Sequence, residues 1–175
     1  PELRHFLVTL VQRAPSEEAS ALVDQVARQA QDPRALMEMA QLLQSQQKHG
    51  EAAELMKKAV ALQPENQWLL NMLIQSLAQS GQHEEALAAI KDSFRVLDLH
   101  RGFDVQMLRP MVQAMNGAGQ LAALQTILPP RGAEQGWVGD ALVALIAHEE
   151  KRYDDALAVI NALPQTVHGQ FRSIM

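Results

Sequence analysis

The chain is 175 residues long, 47% hydrophobic yet only 4% aromatic, and rich in Ala, Leu and Gln, which favours an all-helical fold. Its 15 basic and 20 acidic residues are scattered, for a net charge of −5, so no basic stripe exists to neutralise a phosphate backbone and nucleic-acid binding is disfavoured. The absence of cysteine excludes disulfides, thiolate metal sites and thiol catalysis together, and leaves a cytoplasmic and a periplasmic location equally open.

In chain order, residues 1–32 form an incomplete first repeat. Leu3, Phe6, Leu7 and Leu10 recur at helical spacing, and after the Ala14-Pro15-Ser16 break so do Ala19, Leu22, Val23, Val26, Ala27 and Ala30. Ser16 is the expected N-cap of that second helix. The first complete unit covers residues 33–66. Asp32 caps its leading helix and Pro33 takes the first helical position, where a missing amide hydrogen costs nothing. This helix is expected to run to about Gln47, the chain turns at His49-Gly50, and a second helix follows from Gly50 to Leu62.

Residues 67–100 repeat the pattern, turning at Ser80-Gly81-Gln82, and Ala86 stands 34 residues after Ala52. The stretch Gln67 to Gln82 is uncharged but interrupted by Asn71, Gln75, Ser76 and Gln79, so it reads as a buried helix of a soluble fold. No membrane-inserted segment or signal peptide is expected. Residues 101–135 form a degenerate unit with Ala123 as the counterpart of Ala86, 37 residues on, and Pro110 is expected to kink its leading helix. Residues 136–164 form the next unit, with Ala156 in the small-residue position. Residues 165–175, with Val167, Phe171 and Ile174, start a capping helix or a truncated repeat. Because the chain opens on Pro1 and stops at Met175 in mid-pattern, it reads as a fragment or as trimmed.

A period near 34 with two amphipathic runs per unit means stacked helical hairpins, since one hairpin cannot bury its own apolar face. The segments GEAAELMKKAVALQPEN and GQHEEALAAIKDSF resemble the second half of the tetratricopeptide repeat. Ala52, Met56, Ala59 and Pro64 fill that family's small, large, Ala and Pro positions. Ala86 with Ile90 matches well, as does Tyr153 with Ala156 and Ile160, whereas the third unit keeps only Ala123 and Ile127. The resemblance spans about residues 33–164. It implies an α-solenoid of antiparallel helix pairs wound as a right-handed superhelix, acting as a non-catalytic scaffold that binds a protein or peptide along its concave groove.

Helical-wheel spacing sorts the leading helices into packed and free faces. Leu36, Met39, Ala40 and Leu43 face inward in the first unit, Leu69, Leu70, Leu73, Ile74 and Leu77 in the second, and Met107, Leu108, Met111, Val112 and Met115 in the third. The free faces carry Arg34, Met37, Glu38, Gln41, Gln44 and Ser45, then Trp68, Asn71, Met72, Gln75, Ala78 and Gln79, then Gln106, Arg109, Pro110, Gln113 and Asn116. The resemblance places leading helices on the groove, so this ladder of amides would line it. Amides can satisfy a peptide backbone, and Trp68, Met37 and Met72 add adaptable apolar area. The expected groove residues are Arg34, Met37, Gln41, Gln44, Trp68, Asn71, Met72, Gln75, Gln79, Gln106, Arg109 and Gln113. The ligand is expected to carry little charge. Trp68 has the alternative role of covering the preceding helix, and exposed Gln is also what a merely solvated face carries. Met37, Asn71 and Arg109 would form only part of the carboxylate clamp that some tetratricopeptide proteins possess.

Val138, Leu142, Val143, Leu145 and Ile146 leave the fourth leading helix little polar face, so the tail through Phe171 and Ile174, a partner or a second copy must cover it. Self-association through Val138, Leu142 and Leu145 is therefore the alternative function, and a docking domain of a larger envelope, secretion or signalling protein, of bacterial character by composition, is another. No cofactor, metal or catalytic site is expected. His49, His83 and His100 read as solvated turn residues, and His148-Glu149-Glu150 lacks the second His that a zinc helix needs. Glu84-Glu85 and Asp154-Asp155 sit at helix starts, where negative charge meets the positive end of the dipole.

Overall fold

The computed structural model describes residues 31–96, 108–128, 136–163 and 171. These form helices α1 Pro33–Ser45, α2 His49–Leu62, α3 Gln67–Gln79, α4 His83–Val96, α5 Leu108–Gly117, α6 Leu121–Thr126, α7 Gly136–Glu149 and α8 Tyr153–Ala162. They pair as four hairpins of an all-α helical repeat. The expected hairpin of residues 1–30, the linkers around Asp98 and Pro129, and the tail residues Val167 and Ile174 lie outside the described residues.

Each hairpin is made by the same hydrogen-bonded turn. The amide of Gln47 donates to the Gln44 carbonyl (2.9 Å) and that of Lys48 to the Leu43 carbonyl (2.9 Å). The pairs Gly81 to Ala78 and Gln82 to Leu77, Gly119 to Asn116 and Gln120 to Met115, and Lys151 to His148 and Arg152 to Ala147 repeat it at 2.8–3.2 Å. This double closure is a Schellman motif, and it requires its central residue to be left-handed. The four central residues are Gln47 (φ 62°), Gly81 (81°), Gly119 (69°) and Lys151 (61°). The following residue starts the second helix: carbonyls of Lys48, Gln82, Gln120 and Arg152 accept from the amides of Ala52, Ala86, Leu124 and Ala156. The leading helices α1 and α3 begin differently, on side-chain caps. Asp32 accepts from the Arg34 amide at 3.0 Å, and Asn66 from the amides of Trp68 and Leu69 at 3.2 and 3.3 Å.

Counting from the left-handed residue gives the register directly, and it corrects the third unit. Five residues on stand Ala52, Ala86, Leu124 and Ala156, each at 0% exposure, whereas Ala123 is only half-buried. The bulkier Leu124 thus occupies the position that alanine holds elsewhere, and α6 is six residues long. Left-handed positions are 34, 38 and 32 residues apart along the chain.

The inward faces are as the periodicity requires. Leu36, Met39, Ala40 and Leu43 of α1, Leu69, Leu70, Leu73, Ile74 and Leu77 of α3, and Leu108, Met111, Val112 and Met115 of α5 are all buried; Met107 lies outside the described residues. Helix α2 packs between α1 and α3; beyond it α5 packs on α3 and α7 on α5. Pro110, expected to kink this helix, falls in the first turn of α5, and the residues before Leu108 lie outside the described ones. Val138, Leu142 and Leu145 of α7 are 0%, 0% and 3% exposed within the chain, sharing a core with Ile160, Leu163 and Phe171 (1%). They are therefore not available as a self-association surface.

Candidate binding groove

Six residues before each left-handed turn residue stand Gln41, Gln75 and Gln113, so the same register position of three successive leading helices carries an exposed glutamine. In α7 that position is Leu145, which is buried, and the ladder ends there. Ten residues before the turn come Met37, Asn71 and Arg109, all half-buried. Arg34 and Gln79 are exposed, Trp68 is 43% exposed, and Gln106 lies outside the described residues.

Not every expected groove residue is free. Met72 is only 8% exposed, because α1 lies against α3 and the Gln41 amide reaches the Met72 sulfur at 3.9 Å. Gln44 is half-buried and donates to Ser76 Oγ at 2.7 Å, while that hydroxyl donates to the Met72 carbonyl at 2.8 Å. Buried Ser76 is thus satisfied from two sides, and Gln44 is a strut between units. Ala78, placed on the free face by wheel spacing, is 6% exposed. An isolated wheel cannot see the neighbouring helix that seals one flank of each free face. Between α5 and α7 the corresponding strut is Asn116 Nδ2 to Glu149 Oε2, 2.9 Å.

Helices α3 and α5 pack on each other directly. A cleft of about 670 Å³ lies there, walled by Gln75, Ala78 and Gln79 of α3 and by Pro110, Gln113, Ala114 and Gly117 of α5, and closed at the turn end by Gly81, His83 and Ala118. It brings together Gln75, Gln79 and Gln113; it does not include Arg34, Met37, Gln41, Gln44, Trp68, Asn71, Met72 or Arg109. Trp68 stands at the opposite end of α3, just after the loop Gln63 to Asn66. Ala114, Gly117, Ala118 and His83 were missed from the sequence. The one sequence signal for them was the lengthened spacing of the third unit.

The histidines also differ from a solvated-turn reading. His49 and His83 are the first residues of α2 and α4, half-buried, and the Nδ1 atom of each is buried with no hydrogen-bond partner among the described residues. His148 packs edge-on against Tyr153, ring centroids 5.5 Å apart. Acid pairs Glu84-Glu85 and Asp154-Asp155 do occupy first helical turns.

The walls of the cleft are chemically neutral apart from His83. Three amides can each donate and accept, and small side chains let a main chain come close. Among the described residues no helix is long and apolar enough to cross a membrane.

Residues 43–93 match the family profile described as tetratricopeptide repeat, a stretch that holds the turns at Gln47 and Gly81 and the glutamine at position 75. A solved structure described as "MamA RS-1 ArsTM double mutant" is 16% identical, with 98% of this chain and 94% of that chain covered and a TM-score of 0.47. The search of curated proteins found no match. Tetratricopeptide repeats are in general protein-interaction scaffolds and as a rule non-catalytic, and it is the segment 43–93 of this chain that matches their profile.

Proposed function

We propose that the chain binds a segment of a partner protein along the free faces of α1, α3 and α5, with the α3–α5 cleft as the principal contact and without catalysis. The observation that carries this is the convergence of Gln75, Gln79 and Gln113 on one cleft of about 670 Å³. A pocket of this size falls in the range that buries a compact ligand, and amides pair with peptide groups without demanding charge. Selection of displayed random peptides on the immobilised chain tests it. Clones are expected to lose at least about tenfold in affinity on Gln75→Ala/Gln113→Ala, the equivalent of about 1.4 kcal/mol. Clones indifferent to both this variant and Ala114→Trp, with helical content intact, would move the site elsewhere.

A second reading, self-association, draws on the exposed pair Tyr153 (53%) and Leu157 (51%), one turn apart on α8. In α2 the position of Leu157 is held by Ala53, which is fully buried. Sedimentation of the wild type against Leu157→Glu over a hundredfold concentration range separates the readings, and a concentration-independent monomer removes this one.

A further inference from the structure

Asn116-Gly117 is the one Asn-Gly pair in the sequence, and these two residues end α5. In such a pair the backbone nitrogen of the glycine can attack the side-chain carbonyl carbon of the asparagine, because no Cβ on the second residue hinders closure of the five-membered ring. Asn116 and Gly117 are both exposed, and a methyl group at Gly117 would meet no atom within 4 Å. The other three asparagines have a side chain after them: Asn66 precedes Gln67, Asn71 precedes Met72 and Asn161 precedes Ala162. Asn161 is exposed and helical like Asn116, so comparing these two isolates the effect of the following residue.

Hydrogen bonds restrain the reaction in the folded chain. In helical backbone the Gly117 amide points along the axis and away from the Asn116 side chain, so the ring closes only when the last turn of α5 opens. That turn is fastened by the amides of Ala118, Gly119 and Gln120, which donate to the carbonyls of Ala114 (3.2 Å), Asn116 (2.9 Å) and Met115 (2.8 Å). The Asn116 side chain is fastened separately, with Nδ2 donating to Glu149 Oε2 of α7 at 2.9 Å. An exposed helix end frays at low cost, so these bonds slow the attack without preventing it.

We infer that Asn116 is a deamidation site, and that its conversion releases the strut between α5 and α7. When the turn opens, the Gly117 backbone nitrogen gives up its proton and bonds to the Asn116 side-chain carbonyl carbon, and ammonia leaves. Water then opens the resulting succinimide at one carbonyl or the other, giving aspartate or isoaspartate. In sum, one side-chain amide and one water become one carboxylate and one ammonium ion. The group that donated to Glu149 is now an acceptor, so carboxylate meets carboxylate where a bond of 2.9 Å stood. The new negative charge also lies at the C-terminal end of α5, where the helix dipole is itself negative. Isoaspartate further adds a methylene to the main chain inside the turn that Gly119 and Gln120 close. Both products loosen the α5–α7 junction at the turn end of the cleft, which Gly117 and Ala118 line. The chemistry is independent of any binding role.

Peptide mapping by mass spectrometry, on the whole chain held at neutral pH and physiological temperature, tests the site. Conversion at Asn116 is expected to run at least about tenfold faster than at Asn161, and to fall at least about tenfold in Gly117→Ala, whose methyl group has room in the fold. Equal rates at Asn116 and Asn161, or a Gly117→Ala variant that converts as fast as the wild type, would overturn it. Glu149→Ala frees the side chain and should raise the rate at least about threefold; an unchanged rate would overturn the restraint assigned to the strut. The structural consequence is read by amide exchange on Asn116→Asp, expected to be at least about threefold faster at the ends of α5 and α7 while α1 and α2 are unchanged. Exchange identical to the wild type throughout would overturn release of the strut.

Discussion

The four hairpin turns make an internal experiment, because two carry glycine at the left-handed position and two do not. Gln47 and Lys151 hold φ of 62° and 61°, where an L side chain costs roughly 1–2 kcal/mol relative to right-handed backbone. Replacement by Gly removes that strain but adds about 0.5–1 kcal/mol of unfolded-state entropy. Gln47→Gly and Lys151→Gly should therefore each stabilise by a net of about 0.5–1 kcal/mol, or about 1–4 °C in Tm for a chain of this size. By the same accounting the reverse changes, Gly81→Ala and Gly119→Ala, should each cost a net of about 0.5–1 kcal/mol. A methyl group at either glycine would meet no atom within 4 Å, so no steric clash confuses the comparison. Thermal unfolding followed by circular dichroism at the helical minimum reads all four. If both glycine replacements lower Tm with helical content unchanged, the left-handed turn is not what closes these hairpins.

Three further outcomes are expected. Ala86→Leu should cost about 1–3 kcal/mol by overpacking and Ala123→Leu less than about 0.5 kcal/mol in urea unfolding; the opposite order would restore Ala123 to the close-contact register. Hydrogen bonds that the Lys57 ammonium donates to Glu54 and then to Glu85 raise its pKa above the ordinary value of 10.5. A raised folded-state pKa means that stabilisation is complete below 10.5 and is lost as pH rises through the folded value. The difference between wild type and Lys57→Met should be under about 0.5 kcal/mol at neutral pH, since these side chains are 35–63% exposed, and should vanish in strong base and in high salt. Phe171→Ala removes a side chain only 1% exposed and should cost about 3–5 kcal/mol locally, seen as faster amide exchange in α7 and α8 while α1 and α2 are unchanged; uniform acceleration would contradict nearest-neighbour coupling.

The inward faces of α1, α3 and α5 were legible because an apolar side chain every three to four residues can satisfy only one side of a helix. The caps at Asp32 and Pro33 were legible because their chemistry is local. What was not legible depends on backbone handedness and on neighbours. Gln47 and Lys151 conceal a left-handed turn that Gly81 and Gly119 announce, so an alignment made by matching alanines slid by one residue onto Ala123. Met72 and Ala78 look free on a wheel but are covered by an adjacent leading helix. The apolar α7 was correctly read as needing a cover, and the burial of Phe171 against the same core shows what part of that cover is.

The site arises where the repeat departs from itself. Across the 34-residue step from Gln47 to Gly81, α2 wedges between α1 and α3, Gln44 bonds Ser76, and the turn at Gly50 approaches the Gln82 amide to within 4.0 Å of a methyl group's place. The next step is 38 residues, and its second helix α4 packs on α3 but does not come between α3 and α5 as α2 comes between α1 and α3. Helix α5 packs on α3 directly, and the small residues Ala78, Ala114 and Gly117 line the cleft beside that contact. A small residue in a tight junction serves packing, whereas the same residue in a loosened one leaves room for another chain. Of the three exposed glutamines at this register position, Gln75 and Gln113 line the cleft and Gln41 does not.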